Sequence, residues 1–148
     1  MDVTIDDQVW LEKAQAVVAQ MREKYSGTTV AIGEMQNGNA FEMALALTRY
    51  GFIVREIYAN LGPDDFVYLR HLAELSPETK VYSNLSPSML YYEGDEASID
   101  VTIGKDAAYY HEQAAHLHWD EDIQPFGYAG VVSLLKRLEE VLLERKKR

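Results

Sequence analysis

The segment from Thr28 to Gly51, TTVAIGEMQNGNAFEMALALTRYG, decides the fold of this chain. It begins with a short apolar stretch containing β-branched residues, enters a polar loop after Gly33 and resumes as an apolar pattern of helical spacing. Asn39 is placed to cap that helix, and Gly51 is the type of residue at which helices commonly end. The segment therefore predicts the first strand–loop–helix unit of a nucleotide-binding-like parallel sheet. Its loop follows the carboxyl end of the strand, where open α/β folds bind ligands.

The rest of the chain alternates between strand-like and helix-like segments. Alternation of this kind implies right-handed crossovers and a parallel sheet that is covered by helices on both faces. We therefore expect an α/β fold, specifically a Rossmann-like three-layer α/β/α sandwich with four to five parallel strands. The further predicted strands are 52–59, 80–83, 99–103 and 115–119, and the predicted first and last helices are 7–25 and 127–146.

Length and composition fit a single globular domain. The 148 residues carry a formal net charge of −10, which argues against nucleic acid because phosphate contacts need clustered Lys and Arg. There is no cysteine, so disulfides and cysteine-ligated metals are excluded. No stretch is long and apolar enough to cross a bilayer, and the first residues lack the pattern of a signal peptide. We therefore expect a cytoplasmic protein without a membrane partner.

Polar residues at the strand ends are the candidates for ligand contact. The loop from Glu34 to Asn39 lacks the ending of a P-loop and the glycine spacing of the dinucleotide fingerprint, so support for nucleotide binding is weak. Its Asn and Gly residues also suit a tight turn that enters a helix, so a structural role and contact with an anion or other ligand both stay open. The residues that we assign to a ligand or cofactor site are Glu34, Gln36, Asn37, Asn39, Ser83, Lys105 and Asp106.

Histidines near the fifth predicted strand are the candidates for metal binding. His111, His116 and His118 all lie close to acidic residues in the sequence. His116 and His118 are two residues apart and would share one face of a strand, which is acceptable geometry for metal ligation. A solvent-exposed or hydrogen-bonded pair is the alternative. We name His116 and His118 as the candidate metal ligands.

The chain contains ten tyrosines, most of which we expect in the core or at an interface with the hydroxyl near the surface. The pairs Tyr91–Tyr92 and Tyr109–Tyr110 follow loops at the expected ligand end of the sheet. These pairs are candidates for lining a pocket or for contacting a partner domain. No nucleophile–base–acid arrangement can be assembled from spacing alone, so no catalytic residue is assigned.

Four segments occur together in a distinctive order: GEMQNGNAFEMALALTRYGFIVREIYA from Gly33, SPETKVYSNLSPSM from Ser76, IDVTIGKDAAYY from Ile99 and WDEDIQPFGYAGVVSLL from Trp119. The last is the most specific, since its Trp-Asp is followed eight residues after the Trp by Gly-Tyr-x-Gly. Together they resemble the last α/β domain of nitrogenase component 1-type oxidoreductases. That family includes the molybdenum-iron protein subunits, cofactor-assembly scaffolds and dark-operative protochlorophyllide reductase.

The resemblance implies a domain organisation and a strand order. Residues 1–27 would form a linking helix from a preceding domain, and residues 28–148 a single nitrogenase component 1-like α/β domain. The strand order would be 2-1-3-4 with an additional edge strand, which would place the polar loops 34–39 and 83–86 on two sides of one crevice. In the molybdenum-iron protein's α subunit the cofactor-ligating histidine lies two residues before the closing tryptophan. That position is Leu117 here, between His116 and His118.

The resemblance also implies a function. Full-length family members contain three such domains, and their cluster-binding cysteines belong to the earlier ones. We therefore expect a domain that contributes to the wall of a metallocofactor or substrate site, binds no cofactor in isolation and is inactive alone. An iron–sulfur or related metallocofactor would belong to the full-length parent. The partners would be the preceding domains and a homologous subunit, or a second copy of the isolated domain. The alternative is a stand-alone small-molecule-binding or scaffold module without redox chemistry.

Overall fold

A computed structural model describes residues 6–94, 98–121 and 125–147. Within these residues, one sheet contains the parallel strands β1 (Thr29–Gly33), β2 (Ile53–Tyr58), β3 (Lys80–Tyr82), β4 (Val101–Ile103) and β5 (Ala115–Leu117). The α-helices are α1 (Gln8–Tyr25), α2 (Ala40–Arg49), α3 (Phe66–Leu75), α4 (Lys105–Tyr110) and α5 (Gly127–Lys146). Short 3₁₀ helices cover Pro63–Asp65 and Pro87–Tyr91. The predicted α/β class and parallel sheet are confirmed.

The predicted strand–loop–helix unit is formed by β1 and α2. The apolar residues of β1 are fully buried, as expected for a central strand covered on both faces. The Asn39 side chain accepts hydrogen bonds from the backbone N–H groups of Phe41 and Glu42 and so caps the start of α2. Gly51, with φ of +98°, follows the end of α2 in the left-handed conformation that favours glycine. Local signals therefore account for this unit.

Hydrophobic clusters cover both faces of the sheet. On the first face, Val30 and Ile32 pack in one cluster with buried residues of α1, α2, α3 and α5. On the second face, Ala31 and Tyr58 pack with Ile99 and with Ala107 of α4, and partly buried aromatic residues extend this cluster. The two clusters confirm the three-layer sandwich.

A β-bulge in β2 brings a carboxylate into the second face. Val30 pairs with Val54 and Ala31 pairs with Glu56, so Arg55 is the extra residue. Because side chains alternate along a strand, the extra residue shifts the phase, and Ile57 joins Val54 on the first face. Glu56 consequently lies on the second face and is only 1% exposed.

The strand order is β3-β2-β1-β4-β5, so the predicted order 2-1-3-4 is wrong. The crossover through α3 continues in the same direction as the crossover through α2, which places β3 at the edge beside β2. The segment between β3 and β4 then returns across the sheet, and β4 pairs with the free side of β1. The chain therefore reverses direction between β1 and β4, with the loops before α2 and α4 on either side of the switch point. The predicted additional edge strand is present as β5.

The first helix packs on the body of the domain. α1 lies against α5 and contributes Met21 and Tyr25 to the first hydrophobic cluster. The assignment of residues 1–27 to a linker from a preceding domain stays a prediction, and residues 1–5 and 148 lie outside the described part of the chain. No helix in the described ranges is long and apolar enough to span a membrane.

Candidate functional site

The main polar site lies at the carboxyl edge of the sheet, where four strands end side by side. Glu34 follows β1, Asn60 follows β2, Asn84 follows β3, and Asp106 lies in the first turn of α4 after β4. We call these four residues the edge network, because their side chains are joined by hydrogen bonds. Glu34 and Asp106 were predicted from the sequence, and the two asparagines were not.

Glu34 ties together the loops that follow β1, β2 and β3. Its Oε2 accepts the backbone N–H of Asn60 at 3.0 Å. Its Oε1 accepts the side-chain amides of Asn60 at 2.8 Å and of Asn84 at 2.9 Å. Hydrogen bonds to an ionised carboxylate are stronger than those between neutral groups, so this one side chain fixes the relative positions of three loops.

Asp106 holds the start of α4 against the end of β1. Its carboxylate accepts the backbone N–H groups of Glu34 at 2.9 Å and Met35 at 3.2 Å, and the amide of Asn84 at 3.0 Å. A Cβ atom at Gly33 would overlap this carboxylate, so the close approach of α4 requires a glycine at that position. The two carboxylates of the edge network are therefore bridged by one amide, that of Asn84.

Gln36 and Asn37 lie in the loop between β1 and α2 and contact other loop groups. The Asn37 backbone N–H donates to the carbonyl oxygen of Trp119 at 2.7 Å, and its side-chain amide donates to the carbonyl oxygen of Glu121 at 2.6 Å. The Gln36 amide donates to the carbonyl oxygen of Gly38 at 3.1 Å, while its Oε1 is buried without a partner among the described residues. These contacts attach the predicted ligand loop to the chain after β5.

Asn39 and Ser83 also make contacts within the protein. The Asn39 side chain, besides capping α2, donates from Nδ2 to Asp65 Oδ1 at 2.6 Å. Asp65 is itself a buried acid whose Oδ2 accepts the backbone N–H of Gly62 at 2.7 Å. Ser83 Oγ donates to Oδ1 of Asn60 at 2.8 Å, which joins it to the edge network. The predicted ligand role of these residues stays a prediction.

Lys105 is engaged in an ion pair. Its Nζ lies 2.6 Å from Asp120 Oδ2, and this hydrogen bond lowers the pKa of the Asp120 carboxyl below its ordinary value. The pair links α4 to the segment after β5. The positive charge of Lys105, which the sequence predicted at the ligand end of the sheet, is therefore balanced by the negative charge of Asp120.

His116 and His118 lie side by side, as their spacing predicted. Their ring centroids are 4.4 Å apart and the rings are nearly perpendicular. His116 Nδ1 is 3.0 Å from the Thr102 hydroxyl. Burial, followed by the neighbouring His118, lowers the pKa of His116. No group of three or more His, Cys, Asp or Glu residues in the described part of the chain is arranged to hold a metal ion, so metal binding by this pair stays a prediction.

A second polar cluster on the second face of the sheet was missed by sequence reasoning. Tyr58 Oη donates to Glu56 Oε2 at 2.8 Å, and His111 Nε2 lies 2.5 Å from the same oxygen. Burial and the hydrogen bond to Glu56 raise the pKa of Tyr58 well above its ordinary value. The available signal was the acid at position 56, which stands beside Arg55 among apolar strand residues. We call Glu56, Tyr58 and His111 the buried cluster.

The predicted tyrosine pairs are each divided between interior and surface. Tyr92 and Tyr110 pack beside the buried cluster, whereas Tyr91 and Tyr109 are 84% and 74% exposed. The Tyr58 ring is stacked between those of Tyr82 and Tyr110, with centroid distances of 5.2 and 4.7 Å. The second face therefore contains a continuous group of aromatic rings.

Comparison with known proteins supports the fold. No protein-family model matches this chain, and no curated protein matches it. Among solved structures it is similar to one described as nitrogenase Cp1 at pH 6.5, with a TM-score of 0.70 and 17% sequence identity. The similarity covers 98% of this chain and 35% of that chain. The domain thus has a nitrogenase-like, Rossmann-type α/β fold and spans about a third of the length of this neighbour.

Proposed function

We propose that this chain is an α/β domain of a nitrogenase component 1-type oxidoreductase. In this role its carboxyl edge forms part of the wall of a metallocofactor or substrate site, and other surfaces contact neighbouring domains or a homologous subunit. The observation that carries the proposal is the similarity to nitrogenase Cp1, which extends over nearly all of this chain and 35% of the other. A fold that matches one part of a larger chain supports a role as one domain among several.

The carboxyl edge is suited to a wall and not to a complete cofactor site. The chain has no cysteine, and its described residues include no group of three or more potential metal ligands in one place. These residues do not fit a metallocluster held by this chain alone. Its edge instead presents side chains such as Glu34 and Asp106, which are held in position by hydrogen bonds from neighbouring loops. Any cofactor would be held by other parts of the parent protein.

Exposed apolar residues on α1 support contact with another domain. Val9 and Trp10 are 72% and 55% exposed. An apolar groove of about 360 Å³ is lined by other residues of α1, by residues of α5 and by Tyr50. Exposed apolar surface of this kind is typical of interaction sites. It favours the domain role over a self-contained small-molecule-binding or scaffold module.

The proposal is tested first by the reading frame that encodes this chain. We expect upstream sequence with spaced cysteines, as required for a parent that holds an iron–sulfur cluster. Anaerobic reconstitution of the isolated chain with iron and sulfide is the complementary biochemical test. We expect no cluster absorption, and a cluster bound by this chain alone would contradict the proposal.

Self-association of the isolated chain tests the α1 surface. We expect concentration-dependent dimers in sedimentation, weakened by Trp10→Ser because this change removes exposed apolar area from α1. Leu75→Ser, at an exposed residue of α3, is the matched control and should leave the association unchanged. A chain that stays monomeric at high concentration and binds a small molecule at its carboxyl edge would favour the stand-alone module.

A further inference from the structure

The edge network is bordered by an exposed apolar residue in each of three loops. Met35, Leu61 and Leu85 each directly follow a member of the network and are 56%, 48% and 80% exposed. Their loops follow β1, β2 and β3, which are neighbours in the sheet. Hydrogen bonds hold these loops together: the Leu85 backbone N–H donates to Asn60 Oδ1, and the Asn60 backbone N–H donates to Glu34 Oε2, both at 3.0 Å. We call Met35, Leu61 and Leu85 the apolar row.

The spacing of the apolar row matches one side of an α-helix. Adjacent strands of a sheet lie about 4.8 Å apart, so the loops after three neighbouring strands cover about 10 Å. An α-helix rises about 1.5 Å per residue, so apolar side chains at positions i, i+3 or i+4 and i+7 cover about the same length. A helix that lies along the carboxyl edge, across the strand direction, can therefore contact all three residues of the row at once.

The loops at this edge carry an excess of negative charge. The segments 34–39, 59–65, 83–86 and 104–106 contain one basic residue, Lys105, whose charge is balanced by Asp120. The same segments contain four acids: Glu34, Asp64, Asp65 and Asp106. Glu34 and Asp106 accept hydrogen bonds from backbone N–H groups and asparagine amides, which are neutral donors. These bonds therefore hold the two carboxylates in place without cancelling their charge.

We propose that the carboxyl edge binds a basic amphipathic helix of a partner polypeptide. The apolar side of this helix covers the apolar row, and its flanking Lys or Arg residues pair with Glu34, Asp64 and Asp106. Lys and Arg suit this position because their apolar stems lie along apolar surface while their charged groups reach the carboxylates. Charge complementarity then selects a basic helix over an acidic one. The inference rests on the proposed function, since the helix adds a second wall to the site at this edge.

Binding of synthetic peptides to the purified chain tests the inference. The first fluorescent peptide, of about 18 residues, has Leu at helical positions i, i+3, i+4 and i+7 and Lys elsewhere. The second has Glu in place of Lys, and the third has the Leu and Lys residues in an order without an apolar side. Fluorescence anisotropy should show that the first binds at least about tenfold more tightly than the others and that salt weakens its binding. Equal affinity for the three peptides would overturn the proposal.

Carbon-13 labelling of the methionine methyl groups locates the bound peptide by nuclear magnetic resonance. Met35 belongs to the apolar row, whereas Met21 is buried in the first hydrophobic cluster and serves as the internal reference. We expect the first peptide to shift the Met35 signal and to leave the Met21 signal unchanged. Binding without a Met35 shift would overturn the assigned surface. A Met35 shift that depends on protein concentration without peptide would identify a second copy as the occupant and overturn the proposed partner.

Serine variants of exposed leucines test the apolar contact. Leu61→Ser and Leu85→Ser should each weaken binding of the first peptide by about tenfold, the effect of losing one central apolar contact. Leu75→Ser, at a residue that is 55% exposed at the end of α3, is the matched control and should bind normally. Circular dichroism checks that each variant is folded. Unchanged affinity in both Leu61→Ser and Leu85→Ser would overturn the proposal, whereas the proposed function is contradicted separately, by a cluster bound to the isolated chain.

Discussion

Replacement of Asp106 by asparagine should destabilise the domain by about 2 kcal/mol, because hydrogen bonds to charged groups contribute roughly 1.5–3 kcal/mol each. The Asp106 carboxylate accepts two backbone N–H groups and the Asn84 amide at distances from 2.9 to 3.2 Å. An asparagine has one acceptor oxygen and one NH₂ group, so at least one of these donors would face another donor. The side chain is partly exposed, and we therefore assign the variant the cost of about one such bond and not the sum of three.

Urea unfolding at pH 7, followed by circular dichroism, measures the effect of Asp106→Asn on the free energy of unfolding. The midpoint should fall while the slope with denaturant stays the same, because the folded surface does not change. Asp64→Asn, at an exposed acid just before α3, is the matched control and should lie within about 0.5 kcal/mol of the parent. An Asp106→Asn variant as stable as the control would refute the reasoning. It would indicate that the carboxylate is kept for a ligand and not for the attachment of α4.

Three further changes test other parts of the structure. Gly33→Ala should destabilise the domain by at least about 2 kcal/mol in the same assay, since the added methyl displaces the Asp106 carboxylate from its donors. Burial raises the pKa of Asp100, but hydrogen bonds from the backbone of β1 and from an arginine of α5 outweigh it and lower that pKa. The stability that Asp100 contributes is thus present above its ordinary pKa and is lost as pH falls through the lower folded value. The Asp100→Asn variant should therefore unfold more readily at neutral pH and lose less additional stability than the parent when the pH is lowered. In His118→Gln, nuclear magnetic resonance titration should show that the pKa of His116 rises toward its ordinary value, because the neighbouring His118 ring is removed. The pKa should remain below that value, because the burial of His116 is unchanged. An unaltered pKa would exclude the influence of His118.

The elements of the fold were predictable where their signals are local. The start of α2 is set by Asn39, whose side chain caps helix N–H groups only two and three residues away. Gly33 at the end of β1 and Gly51 after α2 likewise affect the backbone only within a few residues of their own positions. These signals were sufficient to identify the strands and helices. They contain no information about the side of β1 on which a later strand is added. The strand order was therefore taken from the family resemblance, and that order was wrong.

The candidate site was predictable in part. Glu34 and Asp106 were identified because they follow strand ends in a parallel sheet, and the structure brings them together through Asn84. Asn60 and Asn84 were missed because asparagine after a strand is equally common in ordinary turns. Glu56 was missed because a single acid in a strand pattern does not show whether it is solvated or buried.

The sequence by itself determined the α/β class, the parallel strands, the order of elements along the chain and the polar character of the carboxyl edge. Each of these follows from apolar spacing, caps and glycines, which act over one or two turns of chain. Only the tertiary structure decided the placement of β3 at the sheet edge, the hydrogen-bond partners of the edge network and the burial of Glu56 beside Tyr58. These depend on the bulge at Arg55 and on how distant segments pack, and packing between distant segments cannot be read from the spacing of residues along the chain.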